Sequence, residues 1–252
     1  MHRVKGVSLA IALVGLTLAS TGQASSAAGP AMQPANNDMS NIPSLQRGAA
    51  NFMNYCSGCH SAQYVRFNSM GADLELSETQ LLKNLMFNAE KTFETIRSNI
   101  PADDSKRWFG VAPPDLSLMA RSRGSDYIYN FLRGFYVEEG RPTGVNNVVL
   151  EGTSMPHVLV NLQGLQRPLY EETVSSTGEV TQVLQGFDLV SAGTMTPEQF
   201  DGFVRDTVNF LDYISEPVQM KRRVIGVWTL LFLTLFLIVA YMLKNEIWKD
   251  VT

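Results

Sequence analysis

The hydrophobic pattern is most regular at the two ends of this 252-residue chain. Near the N-terminus a basic start precedes an apolar run, Val7–Ala19, and small residues follow, which is the layout of a secretory signal peptide. Near the C-terminus, Val224–Leu243 is a run of 20 residues without a charge. At ~1.5 Å per residue such a helix crosses the ~30 Å hydrocarbon layer of a bilayer. We predict a signal peptide over residues 1–24, a transmembrane anchor over residues 224–243 and a cytoplasmic tail over residues 244–252. Cleavage after Ala28 and an uncleaved N-terminal anchor are the alternatives.

Two helices are predicted in the first half of the intervening region. From Ser44, apolar side chains recur at helical spacing as far as Cys56, and Ser44 is suited to cap the first turn. In the segment SETQLLKNLMF, Ser77 and Gln80 have the spacing of a capping box ahead of an apolar face. The first helix therefore runs directly into the cysteine-containing segment.

Two further helices are predicted downstream. The segment SDYIYNFLRG has Ser125 as a cap and Gly134 as a stop. In TPEQFDGFVRDTVNFLDYIS, Thr196 caps the helix, Gln199 completes a capping box and Pro217 lies just beyond the end. Apolar residues line one face of this last helix, which predicts that it packs in the core.

The rest of the chain is irregular. Residues 25–43 are rich in Ser, Ala, Asn and Pro without an apolar period, which predicts a linker. Residues 101–117 and 135–157 are predicted loops, and a short hairpin is predicted within residues 170–191. One domain over residues 44–217 thus contains few helices and much loop, and a large buried cofactor would fill its core.

The only two cysteines, Cys56 and Cys59, are followed at once by His60. A structural zinc site requires four ligands, and His157 is the only further Cys or His beyond the signal segment. Cys59 and His60, adjacent in sequence, are also badly placed to bind one ion together with Cys56. A thioredoxin-like redox pair is typical of a βαβ pattern, which is missing here. A disulfide remains an alternative in an exported protein.

The spacing C-x-x-C-H is the signature of c-type haem attachment. Two thiols separated by two residues add to the two vinyl groups of one porphyrin. The next residue, His60, then lies under the iron, and its imidazole is a good axial ligand. Covalent attachment also retains the haem outside the cytoplasm. One such motif predicts one covalently bound haem c.

The residue pattern leaves the second axial ligand open. Met155, in EGTSMPHVL, lies in a predicted loop, whereas Met119 and Met195 lie in or beside predicted helices. His157 is the alternative imidazole. If protein side chains fill both axial positions, the haem only passes electrons, and a Met sulfur raises its potential. An open sixth site would instead indicate a haem enzyme.

Charge bears on partners and on orientation. Removal of residues 1–24 leaves 18 basic and 24 acidic side chains, a net charge of −6, which disfavours nucleic acid and allows a basic protein partner. Lys221, Arg222 and Arg223 precede the anchor and by themselves would place the domain in the cytoplasm. The signal peptide indicates the opposite, and it takes precedence because the domain is exported before the anchor emerges. We expect the haem domain on the periplasmic side of the cell inner membrane.

The sequence resembles the cytochrome c1 family, the haem subunit of the ubiquinol–cytochrome c reductase (bc1) complex, over roughly residues 44–245. The resemblance is carried by CSGCHSAQYVRF, APPDLSLMARSRGSDYIYNFL, GTSMPHVL and the single C-terminal span, in this order. It implies a mainly α, class I cytochrome c-like domain with long loops and a small hairpin, plus one C-terminal transmembrane helix.

The resemblance also implies four covalent or axial contacts. Cys56 and Cys59 would carry the haem thioethers. His60 would be the proximal iron ligand and Met155 the distal one.

Other residues would surround the haem. Pro113 or Pro114 of APPDLS would pack on it, and a prolyl carbonyl there would orient His60 through its second ring nitrogen. Arg121 would face a haem propionate. Two residues of YVRF would also lie near the haem: Tyr64 and Arg66.

The implied partners are those of a quinol-oxidising complex. The domain would accept an electron from the Rieske iron–sulfur protein and pass it to a cytochrome c. The anchor would lie in membrane lipid against cytochrome b. A haem subunit of another respiratory complex, and a haem enzyme with an open sixth site, are the two alternatives.

Overall fold

A computed structural model of the chain describes residues 32–174 and 180–249, so the predicted signal peptide lies outside the described residues. These residues form nine helices and six strands, and the predicted mainly α class is confirmed. The helices are α1 Ile42–Tyr55, α2 Phe67–Asp73, α3 Glu78–Asn84, α4 Ala102–Phe109, α5 Met119–Arg123, α6 Ser125–Arg133, α7 Val160–Gln163, α8 Pro197–Ser215 and α9 Gln219–Ile247. The strands are β1 Ala62–Arg66, β2 Thr95–Ile96, β3 Phe135–Val137, β4 Val145–Asn147, β5 Gly164–Val174 and β6 Val180–Ala192.

The packing of α1 on α8 forms the centre of the core. Leu45 and Phe52 of α1 are buried, as the sequence period predicts. The two backbones approach most closely at Gly48, where a methyl group would lie 2.0 Å from the carbonyl oxygen of Asp206. Only glycine allows this approach, so the crossing fixes α1 where it ends at Cys56.

Two of the predicted helix starts are confirmed and two are wrong. The capping boxes that begin at Ser77 and Thr196 are both present. The first helix begins at Ile42 and is capped by Asn41, not Ser44. The hydroxyl of Ser44 instead donates to Asp206, 2.6 Å away, because a tertiary partner is within its reach. Ser125 is the first residue of α6 rather than its cap.

Two of the predicted loops contain regular structure. Helix α4 lies within residues 101–117 and was not predicted because Ser105 is its only buried residue, which leaves no apolar stripe. Strands β3 and β4 form an antiparallel hairpin within residues 135–157. The hairpin predicted within residues 170–191 is confirmed as β5–β6, although it is longer than predicted.

The described part of the predicted linker lies against α6 and α8. The backbone N–H of Ala35 donates to Asp126, and its carbonyl accepts from Arg205 at 2.6 Å. The side chain of Asn209 donates to the carbonyl of Asp38. These contacts attach the irregular segment ahead of α1 to the rest of the domain.

Helix α9 differs from every other described helix in its exposure. Lys221–Ile247 is long and apolar enough to cross a membrane, and none of its most apolar window is buried. A helix that exposes large apolar side chains on all sides is unfavourable in water and stable in lipid. The predicted anchor, residues 224–243, lies within it.

Candidate functional site

The two cysteines and the histidine share one tight turn at the end of α1. The backbone N–H of Cys56 donates to Phe52, which closes the helix. The N–H groups of Cys59 and His60 both donate back to the carbonyl of Cys56, at 3.1 and 2.8 Å. The α1 crossing therefore positions both thiols and the imidazole as a unit.

His60 is oriented by the segment that contains Pro114. Its Nδ1 lies 2.7 Å from the carbonyl oxygen of Pro114. A carbonyl only accepts, so Nδ1 carries the proton and donates it. Burial lowers the pKa of His60 below its ordinary 6.5, against opposing effects of the Pro114 carbonyl and Asp115, so the ring is neutral. The lone pair then resides on Nε2, which is the atom a metal would take.

The Pro114 segment is itself fixed against β1 and the turn before it. The N–H of Leu116 donates to Ser61 at 2.8 Å. The N–H of Gln63 donates to the carboxylate of Asp115 at 2.9 Å, and that of Tyr64 donates to the hydroxyl of Ser117. Asp115 and Ser117 were not among the predicted site residues. The proline–aspartate–x–serine order was the available signal, because such residues close turns onto backbone N–H groups.

Met155 lies in the loop between β4 and α7, residues 148–159, here called the Met155 loop. Its side chain is half-buried and packs against the hydrophobic core, as does the side chain of Cys56. The structure thus brings the C-x-x-C-H turn and Met155 to one core. Met119 and Met195 also border this core, so burial alone does not single out Met155.

Two buried asparagines hold the Met155 loop, and neither was predicted from sequence. The Asn147 side-chain oxygen accepts from Val149 at 2.9 Å, and its amide donates to Phe131 at 2.7 Å. The Asn146 side-chain oxygen accepts from Gly152 at 2.8 Å. Adjacent asparagines in a strand are unfavourable unless their amides are satisfied, and that unusual pair was the sequence signal.

His157 is 7% exposed, and neither ring nitrogen makes a hydrogen bond with a described residue. Its ring lies parallel to that of Phe135, with centroids 5.0 Å apart. Burial lowers the pKa of His157 to about 4; the nearby Gly164 backbone and Gln163 side chain oppose this shift, although neither meets the geometry of a hydrogen bond to the ring. The imidazole is therefore neutral at ordinary pH.

The remaining predicted residues differ in their surroundings. Pro113 and Cys59 both line a cavity of about 250 Å³. Arg121 is exposed on α5 and makes no ion pair with a described residue. Tyr64 is 75% exposed. Arg66 already donates to the carbonyl of Phe93 at 2.6 Å, which gives it a local structural partner.

The Cys56 thiol is not in the environment of a reactive or zinc-binding cysteine. Both cysteines are free, and burial, with a smaller contribution from Cys59, raises the pKa of Cys56 to about 12. A reactive or metal-binding cysteine requires the opposite shift. Within the described ranges, no three His, Cys, Asp or Glu side chains cluster as a metal site would require. Two thiols and one oriented imidazole on a single turn do fit a c-type haem.

Comparisons with known proteins identify the family. A model of the Cytochrome C1 family matches residues 36–251. Cytochrome c1 of Allochromatium vinosum is 46% identical over 236 residues, which cover 94% of this chain and 96% of the relative. The ammonia monooxygenase gamma subunit of Nitrosomonas europaea is 37% identical over 251 residues and 100% of both chains. Cytochrome c1 of Rhodospirillum rubrum is 28% identical over 246 residues, 83% of this chain and 82% of the relative.

The mainly α fold, the C-x-x-C-H turn and helix α9 together are those of a membrane-anchored c-type cytochrome. The chain belongs to the cytochrome c1 family, which consists of c-type haem, electron-transfer subunits of the bc1 complex. One helix among its described residues, α9, is a candidate membrane span, and the chain is a membrane protein.

Proposed function

We propose that this chain relays single electrons from the Rieske iron–sulfur protein to a cytochrome c within a quinol-oxidising bc1 complex. The observation that carries this proposal is the 2.7 Å contact between His60 Nδ1 and the Pro114 carbonyl. It leaves Nε2 as the only free lone pair of a neutral ring beside two thiols. Membership of the family shows that the chain is a subunit of a bc1 complex. The Rieske protein and cytochrome c as its electron donor and acceptor are what we propose in addition.

Cys56 and Cys59 would bind one haem covalently through two thioethers. When bound, the group supplies a one-electron ferric–ferrous couple. The chain's contribution is to hold the haem in place: the α1–α8 crossing fixes both sulfurs, and the Pro114 carbonyl fixes the imidazole plane. An imidazole held by such a hydrogen bond is also a stronger donor to a metal.

Met155 would be the distal ligand. The Met155 loop is braced by the two buried asparagines, as a preorganised ligand requires. If the Met155 thioether bound the iron, it would close the iron to small molecules and would favour the reduced form. The protein would therefore supply no acid, base or nucleophile.

Arg121 would pair with a haem propionate, since its guanidinium is exposed and makes no ion pair with a described residue. Pro113 and Pro114 would pack against the haem, with Tyr64 at its exposed border. The haem domain would face the periplasm, with residues 1–24 removed as a signal peptide. Helix α9 would anchor it in the inner membrane against cytochrome b.

Affinity purification of the full-length protein from detergent-solubilised membranes tests the partners. We expect cytochrome b and a Rieske protein to co-purify in stoichiometric amounts. The name of the Nitrosomonas europaea relative favours a second candidate function, that of a haem subunit in another oxidoreductase. Recovery of other oxidoreductase subunits without cytochrome b would favour that assignment.

Carbon monoxide tests the closed iron. We expect the ferrous spectrum of the purified protein to be low-spin and unchanged when carbon monoxide is added. Ready binding of carbon monoxide would show an open site and would favour a haem enzyme.

A further inference from the structure

His157 is a buried polar side chain for which electron relay has no direct use. It lies two residues after Met155, is 7% exposed and leaves both ring nitrogens without a hydrogen-bond partner among the described residues. Burial of an unsatisfied polar group costs ~1–3 kcal/mol. The position of the ring is therefore not set by a hydrogen bond between its nitrogens and a described residue.

The ring instead makes one well-defined contact, with Phe135. The two rings are nearly parallel, with 6° between their planes and 5.0 Å between centroids. Phe135 is 1% exposed and lies in β3, where it pairs with Asn147 of β4. A second ring, that of Phe131, meets Phe135 edge-on at 5.2 Å and fixes it from the side. Phe135 is therefore a rigid support for the His157 ring.

The chain transmits this support to Met155 over a very short path. Only Pro156 separates the two residues, and its ring fixes its own φ. On the other side, the N–H of Val158 donates to the carbonyl of Pro156, and that of Val160 donates to the carbonyl of His157. Fixing the His157 ring therefore leaves the Met155 backbone little freedom.

We infer that His157 is a positioning residue, and that its stack on Phe135 holds the Met155 sulfur at the iron. This inference rests on the proposed function, because it assumes Met155 to be the distal ligand. The two asparagines fix the loop before Met155, and His157 fixes the chain after it. Because the ring acts through its flat apolar face, phenylalanine is its closest functional substitute.

The test compares His157→Phe with His157→Ala in the full-length, haem-loaded protein in detergent. The readouts are the far-red absorption band of a ferric haem with a Met sulfur ligand, the midpoint potential and carbon monoxide binding. We expect His157→Phe to keep the band and the potential. We expect His157→Ala to lose most of the band, shift the potential downward and bind carbon monoxide.

Two further variants keep the outcome interpretable. Phe135→Leu removes the supporting ring while leaving an apolar side chain, and we expect it to weaken the band as His157→Ala does. Leu211→Ala makes a cavity at a buried position of α8, outside the Met155 loop and β3. This variant is the control for a general loss of stability in His157→Ala and Phe135→Leu. We expect it to lower the melting temperature without changing the far-red band.

The inference is overturned if His157→Ala and Phe135→Leu both keep the wild-type band and potential, and the proposed function then stands without it. A different result would show that His157 is itself the distal ligand. In that case the haem iron loses its sixth ligand in His157→Phe and keeps it in Met155→Leu. That outcome overturns both the positioning role and the Met155 assignment.

Discussion

The Nδ1 atom of His60 lies 2.7 Å from the carbonyl oxygen of Pro114, a residue 54 positions further along the chain. This single contact selects the ring tautomer, restrains the imidazole and leaves the lone pair on Nε2. A C-x-x-C-H turn without such a partner would leave the histidine free to rotate. The Pro114 segment is therefore as much a part of the site as the cysteines.

Asp115 is the residue that holds this segment, and its removal tests the relationship. Its carboxylate accepts from the N–H groups of Gln63 and Ser117, at 2.9 and 2.8 Å. We expect Asp115→Ala to remove both hydrogen bonds and to destabilise the protein by ~2 kcal/mol. The midpoint potential should shift because the imidazole is less well held. Thermal melting and redox titration measure the two effects. Asp115→Asn, which retains one acceptor oxygen, should be milder, and equal effects of the two variants would contradict this account.

Met155→Leu tests the distal ligand while preserving volume. Leucine fills the half-buried position but offers no sulfur lone pair. We expect the midpoint potential to fall by on the order of 0.1 V or more, since axial ligands set haem potentials over a range of ~0.8 V. Carbon monoxide should then bind the ferrous form. Met195→Leu, at another Met beside the same core, is the matched control and should change neither property. If Met155→Leu also leaves the spectrum and potential unchanged, the distal ligand is another residue, and His157 is the first to examine.

Gly48 tests how far the α1–α8 crossing determines the site. A methyl group there would lie 2.0 Å from the Asp206 carbonyl oxygen, so Gly48→Ala must separate the helices. We expect a loss of ~1–3 kcal/mol and poorer haem incorporation, because α1 carries Cys56 at its end. The control is Gly202→Ala in α8, where a methyl group meets nothing within 4 Å. It should stabilise the protein by up to ~1 kcal/mol, as alanine does in a helix. Melting temperature and haem content of the purified proteins measure both variants.

The contribution of Asp201 to the stability of the folded protein depends on pH. Burial would raise the pKa of Asp201, but hydrogen bonds from Tyr129 and Arg205 and the charge of Arg133 outweigh it, so the pKa lies below its ordinary 3.8. The native state therefore favours the carboxylate, whose stabilising contribution is complete above the unfolded pKa and is lost as pH falls through the folded pKa.

We expect Asp201→Asn to lower the melting temperature at neutral pH and the difference from wild type to shrink below about pH 4. A difference between wild type and Asp201→Asn that stays constant down to pH 3 would contradict the assignment.

The sequence predicted the features that depend on neighbouring residues. The capping boxes at Ser77 and Thr196 involve partners three positions away, and both are present. Ser44 was wrongly assigned as a cap because its hydroxyl bonds to Asp206, 162 positions away, which no local pattern contains. Helix α4 was missed because a mostly exposed helix has no apolar stripe.

In the candidate site, too, features that depend on neighbouring residues were predicted from the residue pattern and those that depend on distant residues were not. The C-x-x-C-H pattern alone pointed to haem, whereas the Pro114 contact came from resemblance to a family rather than from any pattern in the residues. Asn146 and Asn147 were not predicted, because a buried amide is recognised by the backbone groups that it satisfies. The support that Phe135 gives His157 likewise joins residues that are far apart in sequence.

The most direct test of the central proposal is the reduction of the haem in membranes, followed by rapid-mixing absorbance after addition of quinol. We expect fast reduction in membranes that contain the Rieske protein, followed by reoxidation when oxidised cytochrome c is added. In membranes from a strain that lacks the Rieske protein, the haem should stay oxidised on the same timescale. Equally fast reduction without the Rieske protein would contradict the account.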